Sequence, residues 1–202
     1  MEHTQEINAW KNCALEDLWI FDKLIVSRKA GHVCGPRGMD VPKPGNYFVK
    51  PISNMYGMGL FARVEYLEND TSKLHPGEFW CEIFEGEHIS VDYKKYDPIL
   101  SVIGEKDEKE PYKKFTKWTK TNKTHPLPQF IGLIPLRYKT LNCEFIGGKL
   151  IEIHLRSNPD FSHGNSEVIP VWKGSPIELP NGYVFIKDDD EDEDERLGMY
   201  IR

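Results

Sequence analysis

The sequence predicts an α+β domain, and two observations predict it. An apolar pattern of helical spacing fills residues 5–29, while the chain beyond Pro44 breaks into short strand-like runs separated by Gly and Pro. The most informative run is Glu144 to Phe161, where Gly147-Gly148 has the composition of a tight two-residue hairpin turn. Strand alternation puts Glu152, His154 and Arg156 on one face and Ile151, Ile153 and Leu155 on the other. Glu144, on the partner strand, converges on the same polar face. Two carboxylates, an imidazole and a guanidinium are costly to bury unless they meet charge, and a divalent cation carrying a polyphosphate would supply it. The same alternation also suits the solvated outer face of a hairpin.

At 202 residues the chain is one domain, or one domain with a lid, long enough to bury a core. A hydrophobic content of 39% with 12% aromatics excludes a disordered chain. No apolar run approaches ~20 residues, which argues against a helical membrane span. The start, Met1-Glu2-His3-Thr4, has neither a basic nor an apolar region and predicts no signal peptide. Cys13, Cys34, Cys81 and Cys143 are scattered with no CxxC pair, which predicts reduced thiols in a cytoplasmic protein. The net charge of −6 is uneven: removing the eight acids of 188–195 leaves a body at +2.

In chain order, residues 5–29 carry Ile7, Trp10, Leu15, Leu18, Trp19, Phe21, Leu24 and Ile25 at roughly helical spacing, and Gly31 is suited to end that helix. Gly31 to Pro44 reads as loop. Tyr47 to Pro51 reads as a short strand ending in Lys50, followed by Gly57-Met58-Gly59, whose glycines allow backbone amides to approach a phosphate. Phe79 to Tyr93 is strand interrupted at Gly86, with His88, Ser90 and Asp92 alternating against Ile89, Val91 and Tyr93. Ile99 to Ile103 would pair with Ile89–Tyr93. Between 106 and 123, seven lysines interleave with Tyr112, Phe115 and Trp118, a pattern a nucleic-acid strand can neutralise and stack on, and one that also fits an exposed lysine-rich helix or loop. Val168–Trp172 reads as strand. Tyr183–Lys187 and Leu197–Arg202 read as two strands joined by the acidic loop 188–195, where the acids guard against edge pairing.

Five of these pieces stand in a familiar order: Asp22-Lys23 before a helix ending at Gly31, the strand ending in Lys50-Pro51, Gly57-Met58-Gly59, Cys81-Glu82-Ile83-Phe84-Glu85-Gly86-Glu87-His88, and Glu144 with Glu152-x-His154-x-Arg156. Over about residues 20–160 the chain resembles the ATP-grasp superfamily of carboxylate ligases and carboxylases. The resemblance implies two antiparallel-sheet subdomains clasping a nucleotide cleft. It divides the chain into an N-terminal helical segment (1–21), a small lid (22–78) and a larger core (79–202).

The resemblance also implies roles. Lys23 and Lys50 match lysines that hold the ATP phosphates, and Gly57, Met58 and Gly59 match the loop that covers them. Cys81, Glu82, Ile83 and Phe84 match the hinge whose backbone meets the adenine, and His88 the ribose contact. Glu144 and Glu152 match the Mg²⁺-binding acids, and Arg156 an arginine that stabilises the acyl phosphate or the oxyanion that follows it. His154 stands where the third metal ligand is usually Asn; an imidazole there favours Mn²⁺, or Asn158 takes its place. Superfamily enzymes usually carry an N-terminal domain of roughly a hundred residues, where this chain has about twenty. That implies either a large acceptor that brings its own surface or a protein that has lost catalysis. The implied activity is ATP-dependent ligation of an unspecified carboxylate to an amine or other nucleophile, with Lys50 and Arg156 as the catalytic groups. The alternatives are a non-catalytic nucleotide-binding module and a nucleic-acid or protein interaction module acting through 106–123 or the acidic loop.

Overall fold

The computed structural model describes residues 2–53, 61–109, 112, 114–174, 178–188 and 196–202. The expected Gly57-Met58-Gly59 loop, Lys113 and all of the acidic run except Asp188 lie outside the described residues.

The N-terminal helical stretch is not continuous. It divides into α1 (Glu2–Lys11), a 3-10 turn (Leu15–Phe21) and α2 (Lys23–Lys29). The periodicity misleads because its apolar residues do not share one buried face: Leu15 is 85% exposed, whereas Ile20 and Phe21 are buried. Two aspartates anchor the later pieces. Asp17 is buried in the 3-10 turn and receives Arg137 and the Tyr138 hydroxyl. Asp22 caps α2 by accepting the Ile25 amide at 2.8 Å, which fixes Lys23 in the first turn.

The smaller sheet contains β1 (Cys34–Pro36), β2 (Gly45–Pro51), β3 (Arg63–Leu67) and β4 (Glu78–Cys81), all antiparallel in the order β1-β4-β2-β3. Both β1, inside the stretch expected to be loop, and β3 are strands the sequence pattern does not announce. In β2, Tyr47 and Val49 join a core with Val41, Leu67, Leu74 and Trp80, so alternation turns Phe48 and Lys50 to the opposite face. Leu24 of α2 packs there with Cys34, Phe79 and Cys81.

The larger sheet contains β5 (His88–Lys94), β6 (Asp97–Lys106), β7 (Phe115–Lys120), β8 (Leu141–Ile146), β9 (Lys149–His154), β10 (Glu167–Trp172), β11 (Val184–Lys187) and β12 (Arg196–Ile201). Its order is β11-β12-β10-β7-β6-β5-β8-β9, antiparallel throughout. The expected β5–β6 pairing, the Gly147-Gly148 hairpin and the paired C-terminal strands are present. Within the lysine-rich segment, Phe115–Lys120 form a strand, β7. Ile89, Val91, Tyr93, Leu141, Cys143, Phe145 and Ile153 cover one face of the sheet together with Ile20, Phe21 and Val26. A third, short helix α3 (Ile134–Arg137) adds Ile134 to that layer.

One register shift corrects the sequence reading. Glu144 pairs with Glu152, but Phe145 pairs with Leu150, so Ile151 is the extra residue of a bulge. Leu150 therefore joins Ile153 and Leu155 in the core, and Ile151 turns to the cleft face instead. The acids and the histidine keep the face that alternation predicts.

Candidate active site

A cleft separates the free faces of the two sheets, and the described candidate residues Lys23, Lys50, Cys81, Glu82, Ile83, Phe84, His88, Glu144, Glu152, His154 and Arg156 all line it. From the front half, Lys23 reaches across to Glu152, Nζ to Oε1, at 2.7 Å. Lys50 is 5% exposed, with its Nζ 3.5 Å from the Ile151 carbonyl and 5.7 Å from the centre of the Phe79 ring. Burial pushes the Lys50 ammonium below its ordinary value, although Glu152 opposes the shift.

The back half supplies the acids. Glu144 and Glu152 sit opposite each other on β8 and β9. Burial raises the Glu152 carboxyl, but Lys23, Lys50 and His154 outweigh it and bring its pKa down to about 2. Burial likewise opposes ionised Glu144, whose contact with His88 at 3.0 Å holds it below the usual carboxylate value. His88 leaves its other ring nitrogen, Nδ1, buried with no hydrogen-bond partner among the described residues, beside the edges of Phe115 and Trp118. His154 Nε2 lies 3.6 Å from Glu152 and 3.9 Å from Glu144.

Several participants have weak or no sequence signals. Asn142, two residues before Glu144 on the same strand face, donates to Ser90 Oγ at 2.7 Å and Asp92 Oδ1 at 2.8 Å. Asp92 in turn accepts the Asn158 amide, at 2.9 Å from Oδ1, and so holds the chain just after Arg156. Phe48, Tyr112, Phe115, Trp118 and Trp172 give the cleft an aromatic flank, with Lys106 beside them. The aromatic residues of 106–123 thus line the cleft, and several of its lysines have protein partners: Lys117 with Glu167 at 3.0 Å and Lys123 with Glu87 at 2.5 Å. Least expected is Glu6 of α1. It is 2% exposed and accepts from Arg156 Nε at 2.7 Å, with His154 Nδ1 at 3.1 Å from the same oxygen. Burial raises its pKa, but His154 and Arg156 together hold it below the usual value.

In the segment Cys81–Phe84, expected to be the hinge, Glu82 spends its amide on the Val33 carbonyl at 2.9 Å and accepts the Val33 amide on its side chain at 2.9 Å. Burial pushes the neighbouring Cys81 thiol up to about 11. Among the described residues no group of three or more His, Cys, Asp or Glu side chains has the arrangement to hold a metal ion. No helix among them is long and apolar enough to cross a membrane.

The architecture is similar to a solved structure from Archaeoglobus fulgidus described as that of an ATP-grasp superfamily protein. The likeness extends over 99% of this chain and 72% of that one, with a TM-score of 0.54 at 13% identity. This chain has the ATP-grasp fold. Two other structures overlap more loosely. An L-amino acid ligase from Bacillus licheniformis matches 70% of this chain and 41% of its own at 9% identity and a TM-score of 0.44. A D-alanine–D-alanine ligase from Bacillus anthracis matches 73% and 60% at 11% identity and a TM-score of 0.43. No family model and no curated protein matches the sequence. The two antiparallel sheets are accordingly arranged as in that fold.

Proposed function

We propose that this ATP-grasp chain is an ATP-dependent ligase that activates a carboxylate as an acyl phosphate for attack by an amine or other nucleophile, including one on a macromolecular acceptor. One observation carries the reading: Lys23 and Lys50 from the front half meet Glu144 and Glu152 from the back half inside one cleft. In this reading the two lysines neutralise the ATP phosphates, and the Gly57 to Gly59 segment covers them. Because the Glu82 amide is already engaged, Ile83 and Phe84 of the hinge meet the adenine. His88 Nδ1, unpartnered among the described residues, would face the ribose.

The acids suit a hard divalent cation. Mg²⁺ is commonly held by one or two carboxylates together with substrate phosphates and needs no closed protein cage. Two adjacent glutamates that stay ionised meet that requirement, so Glu144 and Glu152 are the residues that would hold Mg²⁺ or Mn²⁺. The ion would supply charge neutralisation at the phosphates. His154, whose pKa Glu6 and Glu144 raise in spite of its burial, is better suited in this state to contacting an anion than to ligating a cation.

Chemically, a carboxylate oxygen bonds to the γ-phosphorus as the β,γ-bridging P–O bond breaks and ADP leaves. The nucleophile then attacks the acyl carbon, loses its proton and expels phosphate. Lys50 and Arg156 oppose the charge that develops, and losing one such preorganised donor typically costs 10²–10³-fold in rate. ATP binding and ADP release, measured with Mg²⁺ or Mn²⁺ across amino acids, peptides and modified nucleotides, test the reading. Lys50→Ala should weaken nucleotide binding and lower turnover by about 10²-fold or more; an unchanged variant ends the proposal. The engagement of Arg156 by Glu6 favours a second reading, an ATP-binding module without ligation, which ATP binding with no turnover on any acceptor would select.

A further inference from the structure

Among the α1 residues Gln5 to Lys11, Glu6 is the sole buried side chain, and Trp10 on the same helix is 45% exposed. The helix touches the main core through half-buried Ala9, with Cys13 just beyond it. A ten-residue helix is marginal by itself in water, and this one has no apolar stripe to hold it down. Within 5–11 the side chain that turns inward is the Glu6 carboxylate.

That carboxylate ends at a guanidinium and an imidazole of the cleft. Glu6 Oε2 accepts from Arg156 Nε at 2.7 Å and lies 3.1 Å from His154 Nδ1, while Glu6 Oε1 is buried with no hydrogen-bond partner among the described residues. A buried carboxylate with one satisfied oxygen is only half compensated. A guanidinium fork can take both oxygens of a carboxylate, whereas among the described residues Glu6 gives Arg156 only Oε2. The opposite nitrogen of His154 faces Glu152 and Glu144, so an anion at this place adjoins the phosphate end of the cleft.

We propose that Arg156 and His154 form the seat for the carboxylate of the substrate, and that Glu6 on α1 fills this seat in cis until a substrate carboxylate displaces it. The proposal rests on the ligase reading and adds its regulation: α1 is a built-in competitor, and the substrate that opens the site presents a free carboxylate on a chain able to turn within the cleft.

The test uses the full-length chain, with N-acetylated proteinogenic amino acids and their amides as probes. Binding is measured by calorimetry, and amide hydrogen exchange is followed across residues 5–11. At least one carboxylate probe should bind, while its amide should not, and its binding should speed exchange in 5–11 by tenfold or more. Glu6→Gln, which removes the competitor's charge, should bind that probe about tenfold more tightly; Glu6→Asp, which keeps the charge on a shorter arm, should fall between and covers the case in which Glu6→Gln does not fold. Failure of both the wild type and the Glu6 variants to bind any carboxylate probe, equal affinity in wild type and variant, or exchange in 5–11 that ignores bound probe overturns the proposal. ATP binding on the same samples separates the two ideas. Nucleotide binding without a carboxylate seat sinks this inference alone, whereas a carboxylate seat without nucleotide binding sinks the ligase reading.

Discussion

Glu152 shows how opposing electrostatic effects are balanced in the cleft. Burial favours its neutral form, yet Lys23 at 2.7 Å, Lys50 and His154 keep it ionised down to a pKa of about 2. A folded-state pKa depressed below the ordinary 4.5 adds stability that is present above pH 4.5 and is lost as the pH falls toward about 2. Glu152→Gln should therefore flatten the acid limb of the stability curve in that window, read from urea midpoints against pH. At neutral pH it should also destabilise the free protein by about 3 kcal/mol, because Lys23 is left buried beside an amide. Identical acid limbs for the two proteins would rule out this account of Glu152. The type and order of these charged residues are readable in the chain, because alternation along one hairpin already groups Glu144, Glu152, His154 and Arg156. The pairing of Glu6 with Arg156 is not readable, since the two are 150 positions apart and nothing local marks the glutamate.

The β8–β9 hairpin is the element that converts sequence spacing into site geometry. Its turn residues have φ of +54° at Gly147 and +79° at Gly148, the left-handed pair expected of a tight hairpin. Gly147 is also pressed against the hinge loop: a Cβ there would stand 2.1 Å from the Glu85 carbonyl oxygen. Gly147→Ala should cost about 2–4 kcal/mol, from left-handed strain and from forcing that carbonyl away. Nucleotide affinity should fall as well, since Glu85 directly follows the hinge Cys81–Phe84. A thermal melt and a nucleotide titration check both, and a neutral variant would refute the contact. The hairpin was legible because Gly-Gly and period-2 alternation are local signals. The bulge at Ile151 was not, because one extra residue leaves the composition of the strand unchanged and is set by how Leu150 finds the core. The helical segment misled for a related reason: the turn around Asp17 is held by Arg137 and Tyr138 from far along the chain, and α2 starts at the Asp22 cap, neither of which apolar spacing registers.

The two sheets together make the binding surface, and α2 joins them, with Leu24 packed against the smaller sheet and Val26 in the core of the larger. Charges from both halves line one cleft, so in the proposed reading a nucleotide should act as a clasp. At about 100 times its Kd, ATP with Mg²⁺ would add about 2.7 kcal/mol, which for a chain of this size corresponds to a rise of about 5–10 °C in Tm. Lys50→Ala should abolish that rise while leaving the melting of the free protein cooperative. Differential scanning calorimetry checks both, and absence of any ATP-induced shift in the wild type argues against nucleotide binding in the cleft.

By itself the sequence determined the α+β class, the hairpin with its polar face, and the lysines and glutamates suited to a polyphosphate. These are properties of residue type and short-range period, which fix the direction in which a side chain leaves its strand. Only the tertiary structure decided that Lys23 reaches Glu152, that the aromatic residues of 106–123 line the cleft, and that Glu6 sits on Arg156 and His154. Those contacts join segments far apart in the chain, and whether they form depends on how two sheets and a helix share a limited interior, which no local pattern encodes.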